Sequence, residues 1–171
     1  MARSRSWAAL LGFGAAVAAA GWFGSRYNPR NLITKLWYRR LSKPPYDPPN
    51  TVFPVVWSTL YTLIAISGWR VWKAGDSPER SQALALWAAQ MATNAVWPRL
   101  FFGQHKPKLA LADIILLEGM LLAYIRKANQ VDQAAAACFV PYAAWVAFAI
   151  LLSEEIVRRN PNAERMLPRP R

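Results

Sequence analysis

An all-α membrane protein, built as a bundle of five transmembrane helices, is the fold class this sequence predicts, and three observations lead to it. Five apolar runs, 7–24, 52–72, 83–102, 109–125 and 134–152, take up more than half of the 171 residues. Each has roughly 17–21 residues, the length that a helix rising about 1.5 Å per residue needs to cross a bilayer core. The charge, a net +12 from 21 Lys and Arg against 9 Asp and Glu, gathers at the ends and loops. A soluble bundle would need polar faces on the runs, and 7–24 holds no charged residue at all. The mean hydropathy of +0.08 averages these two kinds of segment and hides both.

The first run has two readings. Arg3 and Arg5 ahead of WAALLGFGAAVAAAG, with Ala18 and Ala20 as A-x-A, fit a cleaved signal peptide. The apolar stretch continues through Trp22 and Phe23, which favours a retained helix. Loop 25–51 follows and contains KLWYRRLSKPPYDPPN, where Pro44, Pro45, Pro48 and Pro49 forbid a continuous helix and set a stiff, extended path. An ordered loop of this length is either a functional lid or a surface linker whose Trp37, Tyr38 and Tyr46 sit at headgroup level. The remaining connections are short, so consecutive helices are expected to pack as antiparallel neighbours. On the third run Ala85, Ala89 and Thr93 recur every fourth residue, as do Ala88 and Ala92. That small-residue face predicts a homodimer through the third helix. Pro98 and Pro141 are expected to kink their helices, and 153–171 reads as a basic tail, closing a single domain over 1–171.

Lys and Arg divide unevenly between the two ends of such a bundle. Arg3, Arg5, Arg70, Lys73, Arg80, Arg126 and Lys127 make 7 on one side, and the other 14 lie in the first connection, the third connection and the tail. The positive-inside rule puts the 14-charge side, with the C-terminus, in the cytoplasm. These charges flank apolar spans and form no separate basic domain, so lipid headgroups explain them and nucleic acid is not an expected partner. One Cys and one His exclude an intramolecular disulfide and a Cys/His structural zinc site. No nucleophile–base set, phosphate loop or metal constellation signals a conventional enzyme, and no cofactor is required.

Aromatic stripes carry the functional reading. Trp57 and Tyr61 share a face of the second helix, Asn94, Trp97 and Phe101 of the third, and Tyr142, Trp145 and Ala149 of the fifth. Each stripe is either bundle core or the wall of a site. Trp ring N–H groups and an Asn at membrane depth need partners, so the composition favours a pocket for a flat, apolar, polycyclic ligand.

The runs KPPYDPPNTVFPVVWSTLYTLIAISGWRVWK, NAVWPRLFFG and PYAAWVAF, in this order across residues 24–160, closely resemble the signature segments of the translocator protein family, also called tryptophan-rich sensory proteins or peripheral benzodiazepine receptors. The resemblance implies a five-helix bundle, commonly dimeric, whose pocket under the first loop binds tetrapyrroles such as porphyrin and haem, sterols, and synthetic ligands. Matched motif by motif, it implies ligand contacts from Trp57, Tyr61, Asn94, Trp97, Trp145 and Ala149, with Pro44, Tyr46, Pro48 and Pro49 as cover. It further implies tetrapyrrole sensing, transport or light-dependent degradation, in which Trp57 and Trp145 would be the photochemical residues. A small transporter of lipophilic substrates, or a sterol carrier without porphyrin chemistry, is the alternative; no internal repeat supports the transporter. Tyr46 stands where the family usually has Trp, and Glu154 stands where animal members carry the Tyr of a proposed cholesterol motif. A carboxylate cannot supply that aromatic contact, so the resemblance carries tetrapyrrole binding further than sterol transport. The membrane expected is a bacterial one, with an organellar outer membrane left open.

Four further residues stand apart. Asp113 and Glu118 lie inside the fourth helix, about 140° apart, so they are no paired-carboxylate site. His105 is expected to be solvated beside Lys106 and Lys108, and Cys138 to be a small buried apolar side chain.

Overall fold

The computed structural model describes residues 2–29 and 32–166, with side chains from Ser6 onward. Of the charges that set the expected topology, Arg30, Arg169, Arg171 and the side chains of Arg3 and Arg5 lie outside them. All regular structure among the described residues is helical: α1 Ala2–Ser25, α2 Leu32–Arg40, α3 Val52–Lys73, α4 Pro78–Pro98, a π turn Arg99–Gly103, α5 Pro107–Asn129, α6 Gln133–Arg159 and a 3₁₀ turn Ala163–Arg165. By length and composition α1 from Ser6, α3 and α6 are apolar enough to cross a bilayer. The third and fourth apolar runs correspond to α4 with its π turn and to α5.

Local chemistry sets the helix limits. Ser77 caps α4 by accepting the Arg80 N–H at 3.1 Å, and Pro78 fills the first turn, where its missing N–H costs nothing. Pro98 ends α4, because proline has no N–H for the carbonyl four residues back; the chain widens at once into the π turn. Asp132 caps α6, accepting the Ala135 N–H at 2.9 Å, and pairs with Arg70 of α3 at 2.9 Å. Burial pushes the Asp132 carboxyl up, but the Ala135 N–H and Arg70 together bring it below the usual carboxylate range. With the folded value depressed, its contribution to stability is present above the unfolded carboxylate range and is lost as pH falls through the folded value. Asp132→Ala removes cap and ion pair together and is expected to cost about 1–2 kcal/mol, read as a lower melting temperature in detergent. Asp132→Asn keeps the cap and should cost less than half of that.

The long helices alternate in direction. Trp69 of α3 donates to the Ser6 carbonyl of α1 at 2.9 Å, and the Gly21 backbone lies against the Tyr61 ring, so α1 and α3 are antiparallel. Ser67 donates to the Ala135 carbonyl at 2.7 Å while Phe53 meets the Trp145 ring at 5.9 Å, which makes α3 and α6 antiparallel too. Phe13 against Trp87 and Gly24 against Pro98 set α1 and α4 parallel. The packing order around the bundle is α1, α3, α6, α5, α4, and α3 touches its sequence neighbour α4 only sparingly. The expectation that consecutive helices pack as neighbours therefore holds well for α4–α5 and α5–α6 and poorly for α3–α4.

At one end of the bundle lies a second apolar cluster, built from Trp37, Leu41, Phe101, Ala110, Ile156 and Ala163. It joins the first loop, the π turn and the C-terminal turn, so the segments expected on one side of the membrane do share one end of the bundle. Two boundaries differ from the sequence reading. Loop 25–51 contains α2, because LITKLWYRR precedes the proline run and can turn Thr34 and Trp37 onto that cluster. The tail 153–171 is helical through Arg159, where Glu155 pairs with both Arg158 and Arg159 one turn away.

Candidate ligand site

The aromatic stripes meet near the end of the bundle that the first loop covers, in two groups. Trp57 packs on Tyr61 at 5.2 Å and on Tyr142 at 6.1 Å, and Asn94 neighbours the Tyr61 hydroxyl. Helix α1 closes this interior group where Gly21 meets the Tyr61 ring. A Cβ at Gly21 would stand 2.7 Å from Tyr61 Cε2, so glycine is what lets α1 approach. Trp97 stacks on Phe101 at 4.9 Å and links the interior to the cluster under the loop.

The second group lines an open groove of about 690 Å³ between α3 and α6, whose outer edge is formed by the exposed Val55, Thr59 and Ala144. Val56 and Leu60 form one wall, Pro141, Trp145 and Phe148 the other, and Pro48 reaches over from the loop. Its lining is almost wholly apolar, and it opens toward the outer face of the bundle. Pro141 does not interrupt α6, and it lies in this wall beside Trp145. Trp145 and Pro48 thus share a groove; Trp57, Tyr61 and Asn94 stand behind it, and Ala149 packs against the core. Tyr46 is half exposed with its ring 6.4 Å from Phe148, Pro44 is buried, and Pro49 is exposed. Phe53, Phe148 and Gly21 escaped the sequence reading. Only Phe148, one turn after Trp145, carried a periodic signal.

Several polar atoms inside the bundle are buried with no hydrogen-bond partner among the described residues: Trp97 Nε1, Gln90 Oε1, Asp113 Oδ2, Glu118 Oε2 and Tyr142 Oη. Tyr142 is fully buried, with Tyr61 and Glu118 as its titratable neighbours. None of these residues lines the α3–α6 groove; their polar atoms are buried in the bundle interior. Among the described residues no group of three or more His, Cys, Asp or Glu side chains gathers to hold a metal. His105 is not freely solvated: its ring packs on Trp37 at 4.7 Å and burial holds its pKa below the usual value.

The loop itself is fastened. Asn160, at the end of α6, accepts the Ser42 N–H at 2.9 Å and donates to the Ser42 carbonyl at 2.9 Å and to the Ile156 carbonyl at 2.8 Å. Trp37 Nε1 donates to the Ala163 carbonyl at 3.0 Å. Lys43 lies over the Tyr38 ring at 3.5 Å and pairs with Asp47 at 3.4 Å.

Residues 13–159 match the TspO/MBR family. The chain belongs to that family. It is 35% identical over 156 residues to the translocator protein of Bos taurus, covering 90% of this chain and 91% of the relative. It is 39% identical over 149 residues to protein CrtK of Rhodobacter capsulatus, covering 85% and 89%. The tryptophan-rich sensory protein of Cereibacter sphaeroides is 36% identical over 156 residues, covering 91% and 94%. As a TspO/MBR protein the chain is a membrane protein, which accounts for the apolar residues exposed on the outer faces of its long helices, such as Leu11, Val55, Ile115, Leu122 and Leu151.

Proposed function

We propose that this chain binds a tetrapyrrole, porphyrin or haem, at the α3–α6 groove and the aromatic group behind it, and acts in tetrapyrrole sensing, transport or light-dependent degradation. The observation that carries the reading is the apolar α3–α6 groove of about 690 Å³, walled by Trp145 and Phe148 and reached by Pro48 from the loop, with the aromatic group Trp57, Tyr61 and Tyr142 packed behind it. A flat macrocycle offers the Trp145 indole a face to stack on. A sterol, the second reading, would fill the groove without an extended π face for that indole. Five long helices cross the bilayer in this proposal, with the covered end of the bundle and the C-terminus in the cytoplasm of a bacterial cell.

Titration with protoporphyrin in lipid nanodiscs tests it. Saturable quenching of Trp fluorescence at low micromolar ligand is expected, with at least a tenfold weaker affinity for Trp145→Ala, about 1.4 kcal/mol. Linear, unsaturable quenching, or quenching that cholesterol abolishes at equal concentration, would sink the tetrapyrrole reading. Photochemistry is tested on the same samples. Under light and oxygen, Trp57→Phe and Trp145→Phe should keep binding but slow porphyrin bleaching, and a wild-type bleaching rate equal to that of free porphyrin rejects degradation.

A homodimer through α4 belongs to the same proposal. Ala85, Ala88, Ala89 and Ala92 are all exposed on α4, so its small-residue face is free to meet a second copy. Ala85→Leu with Ala89→Leu is expected to shift cross-linked detergent particles toward monomer; an unchanged dimer rejects this interface.

A further inference from the structure

Helix α2 carries apolar side chains on its inward face and on an adjoining outward face. Thr34 and Trp37 turn inward with 4% and 1% of their surfaces exposed, and Trp37 is fixed there by Phe101, His105 and its hydrogen bond to Ala163. The outward side carries Leu32, Ile33 and Leu36, which are 70%, 59% and 41% exposed. Spacing of one and four residues puts these three on one face. Lys35, Arg39 and Arg40 are also exposed, and none of them forms an ion pair among the described residues.

Position says what this face meets. α2 lies at the end of the bundle where α1 finishes and α3 starts, level with the π turn and the end of α6. In a chain whose long helices cross a bilayer, that level is the boundary between acyl chains and headgroups. Lys35 and Arg39 border the apolar outer face on one side and Arg40 follows it one turn on, an arrangement that suits a short helix lying in that boundary. We propose that α2 is an interfacial helix: Leu32, Ile33 and Leu36 enter the acyl boundary of the adjoining leaflet, and Lys35, Arg39 and Arg40 engage the phosphates of anionic phospholipids. This rests on the crossing of the bilayer by the long helices. α2 runs directly into the segment that reaches over the groove, and Trp37 and the Asn160–Ser42 clasp fasten the two to the end of the bundle.

Site-directed spin labelling tests the proposal. Cys138 is the only cysteine, so in a Cys138→Ala background nitroxides are attached at Ile33→Cys, Lys35→Cys and Leu36→Cys, with Ile115→Cys on α5 as a bilayer control and Glu164→Cys as an aqueous one. Collision with oxygen, which concentrates in lipid, is compared with collision with a water-soluble nickel chelate. The expected result is an oxygen-to-nickel ratio at 33 and 36 several-fold above that at 35. The ratio should rise further when phosphatidylglycerol replaces part of the phosphatidylcholine. Lys35→Gln, Arg39→Gln and Arg40→Gln together should abolish that rise. Water-like ratios at 33 and 36 with a lipid-like 115 would overturn the proposal, as would labels accessible to neither reagent, the mark of a covering protein copy. A lipid-like ratio indifferent to phosphatidylglycerol would overturn the headgroup contacts. A water-like 115 would instead reject the bilayer crossing on which the proposal rests.

Discussion

Replacing Gly68 by alanine is expected to lower the stability of the bundle by about 1–3 kcal/mol, although alanine is the better helix former by about 1 kcal/mol. A Cβ at this position would stand 2.7 Å from Phe13 Cδ1 and 2.7 Å from Trp87 Nε1. Neither ring can swing away cheaply. Phe13 packs edge-on against Trp87 at 4.8 Å, and Trp87 Nε1 donates to the Ile64 carbonyl at 3.0 Å. Moving the indole would leave its N–H unsatisfied at membrane depth, so the methyl forces α1 away from α3 and α4. The groove and the aromatic group behind it share α3 with Gly68, so ligand affinity should fall along with the melting temperature. Gly119 supplies the control: no atom lies within 4 Å of its Cβ position, and Gly119→Ala should be neutral or slightly stabilising. Thermal denaturation of both variants in one detergent decides the matter. Equal melting temperatures would mean that the contact of α1 at Gly68 is loose.

Asn160→Ala should release the first loop while leaving the bundle folded. The substitution removes both hydrogen bonds to Ser42 and the one to Ile156. At about 0.5–1.5 kcal/mol each, the two that reach the loop are together worth about 1–3 kcal/mol. Exchange of the Ser42 amide hydrogen should accelerate by about tenfold to a hundredfold, since each 1.4 kcal/mol is a factor of ten. Amides of α5 should not change. Protoporphyrin, if it occupies the proposed site, should dissociate faster by a similar factor. An unchanged Ser42 exchange rate would show that Trp37 alone holds the loop in place, and a Trp37→Phe variant, which loses the hydrogen bond to Ala163 but keeps an aromatic ring, would then carry the effect.

The sequence by itself determined the helical membrane character, the helix order and the aromatic stripes. Apolar run length and periodicity are local properties, and three ordered motifs carried the family. Caps and breaks were equally legible where single residues enforce them: Ser77, Pro98 and Asp132 act within one turn of themselves. Tertiary structure decided what depends on which helices become neighbours. Trp57 and Trp145 read alike in the sequence, yet Val56, not Trp57, faces the groove with Trp145, because α3 packs against α1 and α6 and only sparingly against α4. Loop 25–51 read as a stiff extended path because prolines dominate its second half. Its first half becomes α2 because a short helix gains stability only where Trp37 has a surface to bury against, and the π turn and the end of α6 supply one. Gly21, Gly68 and Asn160 carry no periodic or compositional signal. Their importance comes from a ring or a carbonyl brought against them by chain 40, 19 and 118 residues away.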